Sequence, residues 1–132
     1  MKVVVGYPKN WEKIKSHFNI PEDKPFILTV GDTLYNPHNL TLDKSYLVHE
    51  EVHSKRQLKM GVDKYLKQYI YDKEFRLQEE LAGFRAQFQY CVDNIYNLHK
   101  WTNQLAQELS SPEYGNLVSF EEAKKLIGEG IL

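Results

Sequence analysis

Cysteine is almost absent from this chain. Cys91 stands alone among 132 residues, so no intramolecular disulfide can form and a disulfide-stapled secreted scaffold is excluded. Its neighbours Phe88, Tyr90 and Val92 mark it as a small buried hydrophobe rather than a nucleophile. An excess of charge of one sign is missing too. Seventeen Lys and Arg face 18 Asp and Glu, for a formal net charge of −1, and the two signs are interspersed. A duplex-binding protein carries a basic stripe, so nucleic acid and anionic membrane surfaces are disfavoured as partners. Long apolar runs are lacking as well. The run around Val3, Val4 and Val5 is too short for a signal peptide and is followed at once by Pro8, Lys9 and Asn10. These absences imply a protein used in the cytoplasm. No internal repeat, low-complexity tract or linker divides the chain, and its length suits one domain over residues 1–132.

What is present reads as globular. Hydrophobic residues make up 42% and charged residues 27%, close to globular averages. Nine Tyr and six Phe suit a helical core that borders a polar cleft, because a Tyr ring packs while its hydroxyl stays polar.

The order of elements is β first and α after. Residues 3–7, rich in valine, read as a short strand. Trp11, Ile14 and Phe18 fall at helical spacing, in a helix ending before Pro21. Residues 26–30 form a second extended run, which Gly31-Asp32 either turns back into residues 33–35 as a hairpin or continues as one bent strand. Thr41 or Asp43 then caps a helix reaching about Met60, with Gly61 as its stop. Further helices are expected over residues 63–71, over 73–92 behind Asp72 as N-cap, over 94–109 up to the Ser111-Pro112 break, and over 120–127 behind a Ser119/Glu122 capping box.

Residues 49–53 read His-Glu-Glu-Val-His. Positions four apart on a helix lie one above the other, about 5–6 Å between Cβ atoms. Two imidazoles so placed can converge on one cation, with Zn–N distances of about 2.0–2.1 Å. Glu50, about 100° round the helix from His49, can then reach an activated water as general base. Leu47, Val48 and Val52 flank the pair and place it at the edge of an apolar face. A catalytic zinc usually has three protein ligands. His17, His38 and His99 are candidates for the third, and a Glu from the helix after residue 75 is preferred.

With these motifs the chain resembles the Glu-liganded zincins, whose active-site helix bears His-Glu-x-x-His and whose next main helix supplies a Glu. More narrowly, it is similar to small zincin-like proteins often encoded by phages and prophages. The resemblance covers residues 33–90 and rests on Tyr35-Asn36-Pro37, on Val48-His49-Glu50-Glu51-Val52-His53 with Gln57, and on residues 74–87 ending Phe84-Arg85-Ala86-Gln87. In such families the third ligand is a Glu followed three places later by a small residue. Glu80 with Gly83 and Glu79 with Ala82 both fit. The Phe84-Arg85-Ala86-Gln87 ending implies Glu80, with Glu79 in reserve and turned to solvent. The chain departs from the family at Ala82, where a second acidic residue is common.

The resemblance implies an α+β zincin-like fold, with a small N-terminal sheet packed on the active-site helix and a C-terminal helical bundle. It implies a Zn²⁺ held by His49, His53 and Glu80, Glu50 as catalytic base, and a peptide or protein as substrate in the (host) cytoplasm. The alternative is a zincin-fold binding or regulatory protein that hydrolyses nothing. Arg76, one turn before Glu80, is expected to orient it or to make a surface ion pair. His38, Tyr65, Tyr69 and Tyr90 are the candidates for stabilising an oxyanion. Residues 26–30 are either a substrate-pairing edge strand or an ordinary core strand.

Overall fold

A computed structural model describes residues 1–17, 24–94 and 98–129. Its class is α+β, mostly helical, with a three-stranded sheet at the N-terminal end. Strand β1 (Lys2–Val4) runs parallel to β3 (Thr33–Tyr35), and β2 (Leu28–Val30) pairs antiparallel with β3, giving the order β1-β3-β2. Of the two readings of residues 26–35, the hairpin is the one adopted. Val30 pairs with Thr33 across Gly31-Asp32, and Gly31 takes a φ of +62°. A glycine at the first central position is what a two-residue type II′ turn requires. β1 is shorter than expected and starts one residue earlier, and all three of its residues are exposed.

Helix α1 (Trp11–His17) carries one buried residue, Ile14. Its expected end, at Phe18 and before Pro21, lies outside the described residues. Helix α2 (Lys44–Met60) is capped by Asp43 rather than Thr41, its carboxylate accepting from the Ser45 amide at 2.8 Å. Gly61, at φ 98°, ends it and leads directly into α3 (Val62–Tyr71). The side chain of Asp72 caps α4 (Lys73–Asn94) by accepting from the Phe75 amide at 3.1 Å. Helix α5 (Leu98–Leu109) ends where expected, though residues 95–97 of the expected helix lie outside the described ones. A 3₁₀ turn (Pro112–Tyr114) follows. The hydroxyl of Ser119 then accepts from the Glu122 amide at the start of α6 (Phe120–Glu129).

The apolar core is a C-terminal affair. Leu81, Phe84 and Phe88 of α4 pack with Leu105, Ala106 and Leu109 of α5 and with Ala123 and Ile127 of α6. Each large side chain buried there contributes about 1.5–3 kcal/mol. Cys91 is buried on the same helix, and burial pushes its thiol up to about 11, so it stays protonated. The sheet adds Leu34, fully buried, and the hydrogen bonds that tie β2 to α2. No described helix is long and apolar enough to cross a membrane.

Candidate metal centre

Helix α2 buries its polar face. Ser45, His49, His53 and Gln57, one helical turn apart in succession, are buried together with Ser54. Leu47, Val48 and Val52 are only half-buried, and Leu58 is 57% exposed. The expected apolar face beside the histidines is therefore a polar stripe. Polar groups withdrawn from water and left unmatched cost about 1–3 kcal/mol each, so the stripe must be partnered along its length.

Each residue of the stripe has its partner. Gln57 docks on the end of β2, its amide nitrogen donating to the Thr29 carbonyl (2.9 Å) and its oxygen accepting from the Gly31 amide (2.7 Å). The Ser54 hydroxyl donates to the Gly31 carbonyl at 2.7 Å. His49 Nδ1 lies 3.1 Å from Gln87 Oε1, while Gln87 Nε2 donates to Ser45 Oγ. His53 Nδ1 lies 3.4 Å from the Tyr65 hydroxyl.

The other ring nitrogens converge. His49 Nε2 and His53 Nε2 are 2.9 Å apart, and each faces an oxygen of Glu80, at 3.2 and 3.4 Å. His49, His53 and Glu80 are all buried, and among the described residues they form a cluster with metal-ligand geometry. Donors about 2.0–2.1 Å from a tetrahedral zinc stand about 3.3 Å from one another, which is the spacing seen. With its amide nitrogen committed to Ser45, Gln87 presents its oxygen to His49, so His49 carries its proton on Nδ1. A lone pair on His49 Nε2 then faces His53 Nε2 and the Glu80 carboxylate, an arrangement that a cation between them would satisfy. The donor set thus suits a zinc ion, for which His49, His53 and Glu80 would be the protein ligands.

The same convergence governs protonation when a proton is the only cation. Burial by itself would lower His53, but the adjacent Glu80 charge and hydrogen bond outweigh it and hold the ring up at about 9. Burial would likewise raise Glu80. The charge and hydrogen bond of His53 hold it instead far below the usual carboxylate range.

Glycine at position 83 permits this approach of α4 to α2. A Cβ there would stand 2.8 Å from His49 Nε2. Gly83 is thus the small residue three places after Glu80 that the resemblance implies. Glu79 does not turn to solvent, as expected of the second glutamate. It is 2% exposed and paired with Arg56.

Arg76 does not touch Glu80. Its guanidinium caps the end of α3, donating to the carbonyls of Tyr69 (2.9 Å) and Ile70 (2.7 Å), and reaches the Tyr114 carbonyl at 3.4 Å. The orienting partner of Glu80 is Tyr69, whose hydroxyl donates to Glu80 Oε2 at 2.7 Å. His38 is exposed and packs its ring edge against Phe26, and His17 is exposed beside Tyr71. Neither belongs to the cluster. The His99 side chain lies outside the described ones, and Tyr90 is half-buried on α4.

Glu50 sits beside the cluster with its carboxylate accepting from the Thr29 hydroxyl at 2.6 Å. Two cavities flank it. One, of about 150 Å³, lies on the His53 side and is largely apolar, with Phe26, Ile27, Leu66, Tyr65 and Tyr69 in its walls. The other, of about 540 Å³, lies on the His49 side and takes in Tyr46, Gln87 and Glu108. Glu50, residues 25–27 and Tyr114 line both, so the cluster stands at the middle of one cleft.

Three contributors were not singled out in the sequence as site residues. Gln87 carries a signal, since it lies seven residues beyond Glu80 and so on the same face of α4. Thr29 and Tyr114 carry none, because they reach the cleft from a strand and a turn remote in sequence. Compared with protein-family models, with curated proteins and with solved structures, the chain matches none.

Proposed function

We propose that this chain is a zinc-dependent metallopeptidase-like hydrolase, with a zincin-like arrangement of a small sheet, an active-site helix and a following ligand helix. The observation that carries this reading is the convergence of His49, His53 and Glu80 on one point within 3.4 Å of one another, beside a carboxylate already positioned in an open cleft. A zinc ion held there supplies Lewis acidity, lowering the pKa of a water toward about 7 and polarising a carbonyl.

The residues of the chain do the rest. Glu50 accepts the proton of the attacking water and returns it to the leaving amine, and Thr29 holds the carboxylate in place by donating to one of its oxygens. Gln87 and Tyr65 fix the two imidazoles through their Nδ1 atoms, and Tyr69 orients Glu80. An extended substrate crossing the cleft meets an apolar wall on the His53 side and a more polar one on the His49 side.

The test is elemental analysis of purified protein, wild type beside His49→Ala and Glu80→Ala, followed by a peptide-library digest with wild type and Glu50→Gln. About one zinc per chain, lost in both ligand variants, supports the centre. Cleavage lost in Glu50→Gln with zinc retained supports the base. Zinc without cleavage of any peptide or unfolded protein points to a binding protein built on the same site. No zinc, even after adding it back, removes the reading.

A further inference from the structure

Four tyrosines line the two cavities, and three are accounted for by their hydroxyl contacts. Tyr65 meets His53 Nδ1 and Tyr69 donates to Glu80. Tyr46 donates to Glu108 at 2.6 Å and also receives the amide of Gln104. Tyr114 differs. It lines both cavities together with Glu50, yet its hydroxyl has no hydrogen-bond partner among the described residues, only its backbone carbonyl being engaged, by Arg76. A hydroxyl facing a site without a partner is available to a ligand.

The turn that carries it is braced. Gly115 closes the 3₁₀ turn at φ 90°, its amide bonded to the Pro112 carbonyl. Arg76 spans from the end of α3 to the Tyr114 carbonyl. The Tyr114 ring meets Phe84 edge-on at 5.8 Å, and Phe84 in turn packs edge-on against His49 at 4.5 Å. The phenol ring is therefore held relative to the His49 imidazole through Phe84, which is what a preorganised donor requires. Burial, with the charges of Glu80 and Glu50 added, raises its pKa well above the ordinary phenol value, so it keeps its proton at neutral pH.

We infer that Tyr114 is a catalytic residue of this site, donating its hydroxyl hydrogen bond to the carbonyl oxygen as that oxygen takes on negative charge. The assignment rests on the hydrolase reading above. In the step it serves, the oxygen of water bonds to the carbonyl carbon, the C=O π pair moves onto oxygen, and the proton of water goes to Glu50. The oxygen's pair then re-forms the C=O bond as the C–N bond breaks with its pair on nitrogen, which takes the proton from Glu50. Tyr114 gives up no proton at any stage. The sequence offered His38, Tyr65, Tyr69 and Tyr90 as candidates for this task, with no spacing to choose among them. The structure leaves the first exposed, engages the next two on the metal ligands and keeps the last out of both cavities.

The probe is a phosphinic dipeptide analogue with alanine-like and leucine-like side chains, whose tetrahedral phosphorus presents the charged oxygen of the attacked carbonyl. Its affinity for zinc-loaded protein is measured by calorimetry, beside that of the ordinary dipeptide Ala-Leu. Tyr114→Phe keeps the ring contacts, so zinc content and melting temperature should match wild type. The analogue should bind at least tenfold more weakly to Tyr114→Phe, about the loss of one charge-assisted hydrogen bond, while Ala-Leu binding is unchanged. Tyr90→Phe should stay within about twofold of wild type for both. Equal affinity of Tyr114→Phe and wild type for the analogue overturns the assignment while leaving the metal centre intact. A wild type that takes up zinc but does not bind the analogue overturns both the hydrolase reading and the role of Tyr114. Absence of zinc uptake is a third signature, and it overturns them through the metal.

Discussion

At the residue scale, Gly83 has the least room of the described glycines. Alanine in a helix interior is ordinarily favoured over glycine by about 0.5–1 kcal/mol. Here the added methyl would meet the His49 ring at 2.8–3.0 Å, and the ring is pinned from behind by Gln87 and edge-on by Phe84. Such overpacking costs about 1–3 kcal/mol, which outweighs the helical gain. Gly83→Ala should therefore lower stability by about 1–2 kcal/mol in urea titrations. It should also weaken zinc binding at least tenfold in competition with a chromophoric chelator, because His49 must rotate away. An unchanged affinity would mean that α4 shifts as a body without disturbing the ligands. Glu79 and Glu80 show the same sensitivity to local surroundings. They are adjacent carboxylates, both buried, and only Glu80 faces the histidines, since Arg56 takes the other.

At the scale of the element, α2 reverses the usual logic of a helix. Its buried face is polar, so little of what holds it in place is apolar burial, and the hydrogen bonds of Gln57 and Ser54 to β2 take over that task. Gln57 supplies two of the three and is 2% exposed. Gln57→Ala leaves the Thr29 carbonyl and the Gly31 amide without partners, at about 1–3 kcal/mol for each buried group. A loss of about 2–4 kcal/mol is expected in denaturant midpoints with the slope unchanged. Because Thr29 also holds Glu50, any peptide cleavage should fall more than zinc binding does. Equal losses in both would show that the α2–β2 seam supports the ligands directly. Arg76 acts on α3 and the 3₁₀ turn in a parallel way, joining the segments that bear Tyr69 and Tyr114.

At the scale of the whole molecule, core and site are largely separate. The apolar cluster lies among α4, α5 and α6, while His49, His53 and Glu80 meet between α2 and α4. Removing a metal should therefore lower the melting temperature without unfolding the chain. At free zinc a thousand times Kd, binding adds about 4 kcal/mol, or roughly 15 °C for a chain of this size. Excess chelator should cost about that much while the far-ultraviolet dichroism at 25 °C stays helical. In the metal-free protein the His53–Glu80 pair takes over part of the role of the cation. His53 rises from 6.5 to about 9 and Glu80 falls below 4.5, so the pair stabilises fully between 4.5 and 6.5. Its contribution fades as pH rises through about 9, or as it falls through the depressed pKa of Glu80. With chelator present, the melting temperature should thus be higher at pH 6 than at pH 10. Zinc should narrow that gap by replacing the proton.

The sequence by itself determined the element order, most helix boundaries and the pairing of His49 with His53. These follow from local chemistry: capping side chains at Asp43, Asp72 and Ser119, the glycines at 31 and 61, and an i, i+4 spacing that any α-helix turns into a shared face. Residue size left Glu79 with Ala82 and Glu80 with Gly83 both open, and Glu80 was implied only by the resemblance carried by residues 84–87; the close approach at Gly83 is what the packing adds. Tertiary structure alone decided which face of α2 is buried, since a stripe of Ser, His and Gln can enter a core only when distant groups satisfy it. The same holds for the partners of Glu79 and Arg76, and for Thr29 and Tyr114. Thr29 lies 21 residues from Glu50 and Tyr114 lies on a turn beyond α5, so their meeting at the cleft depends on how the elements pack, which no local periodicity encodes.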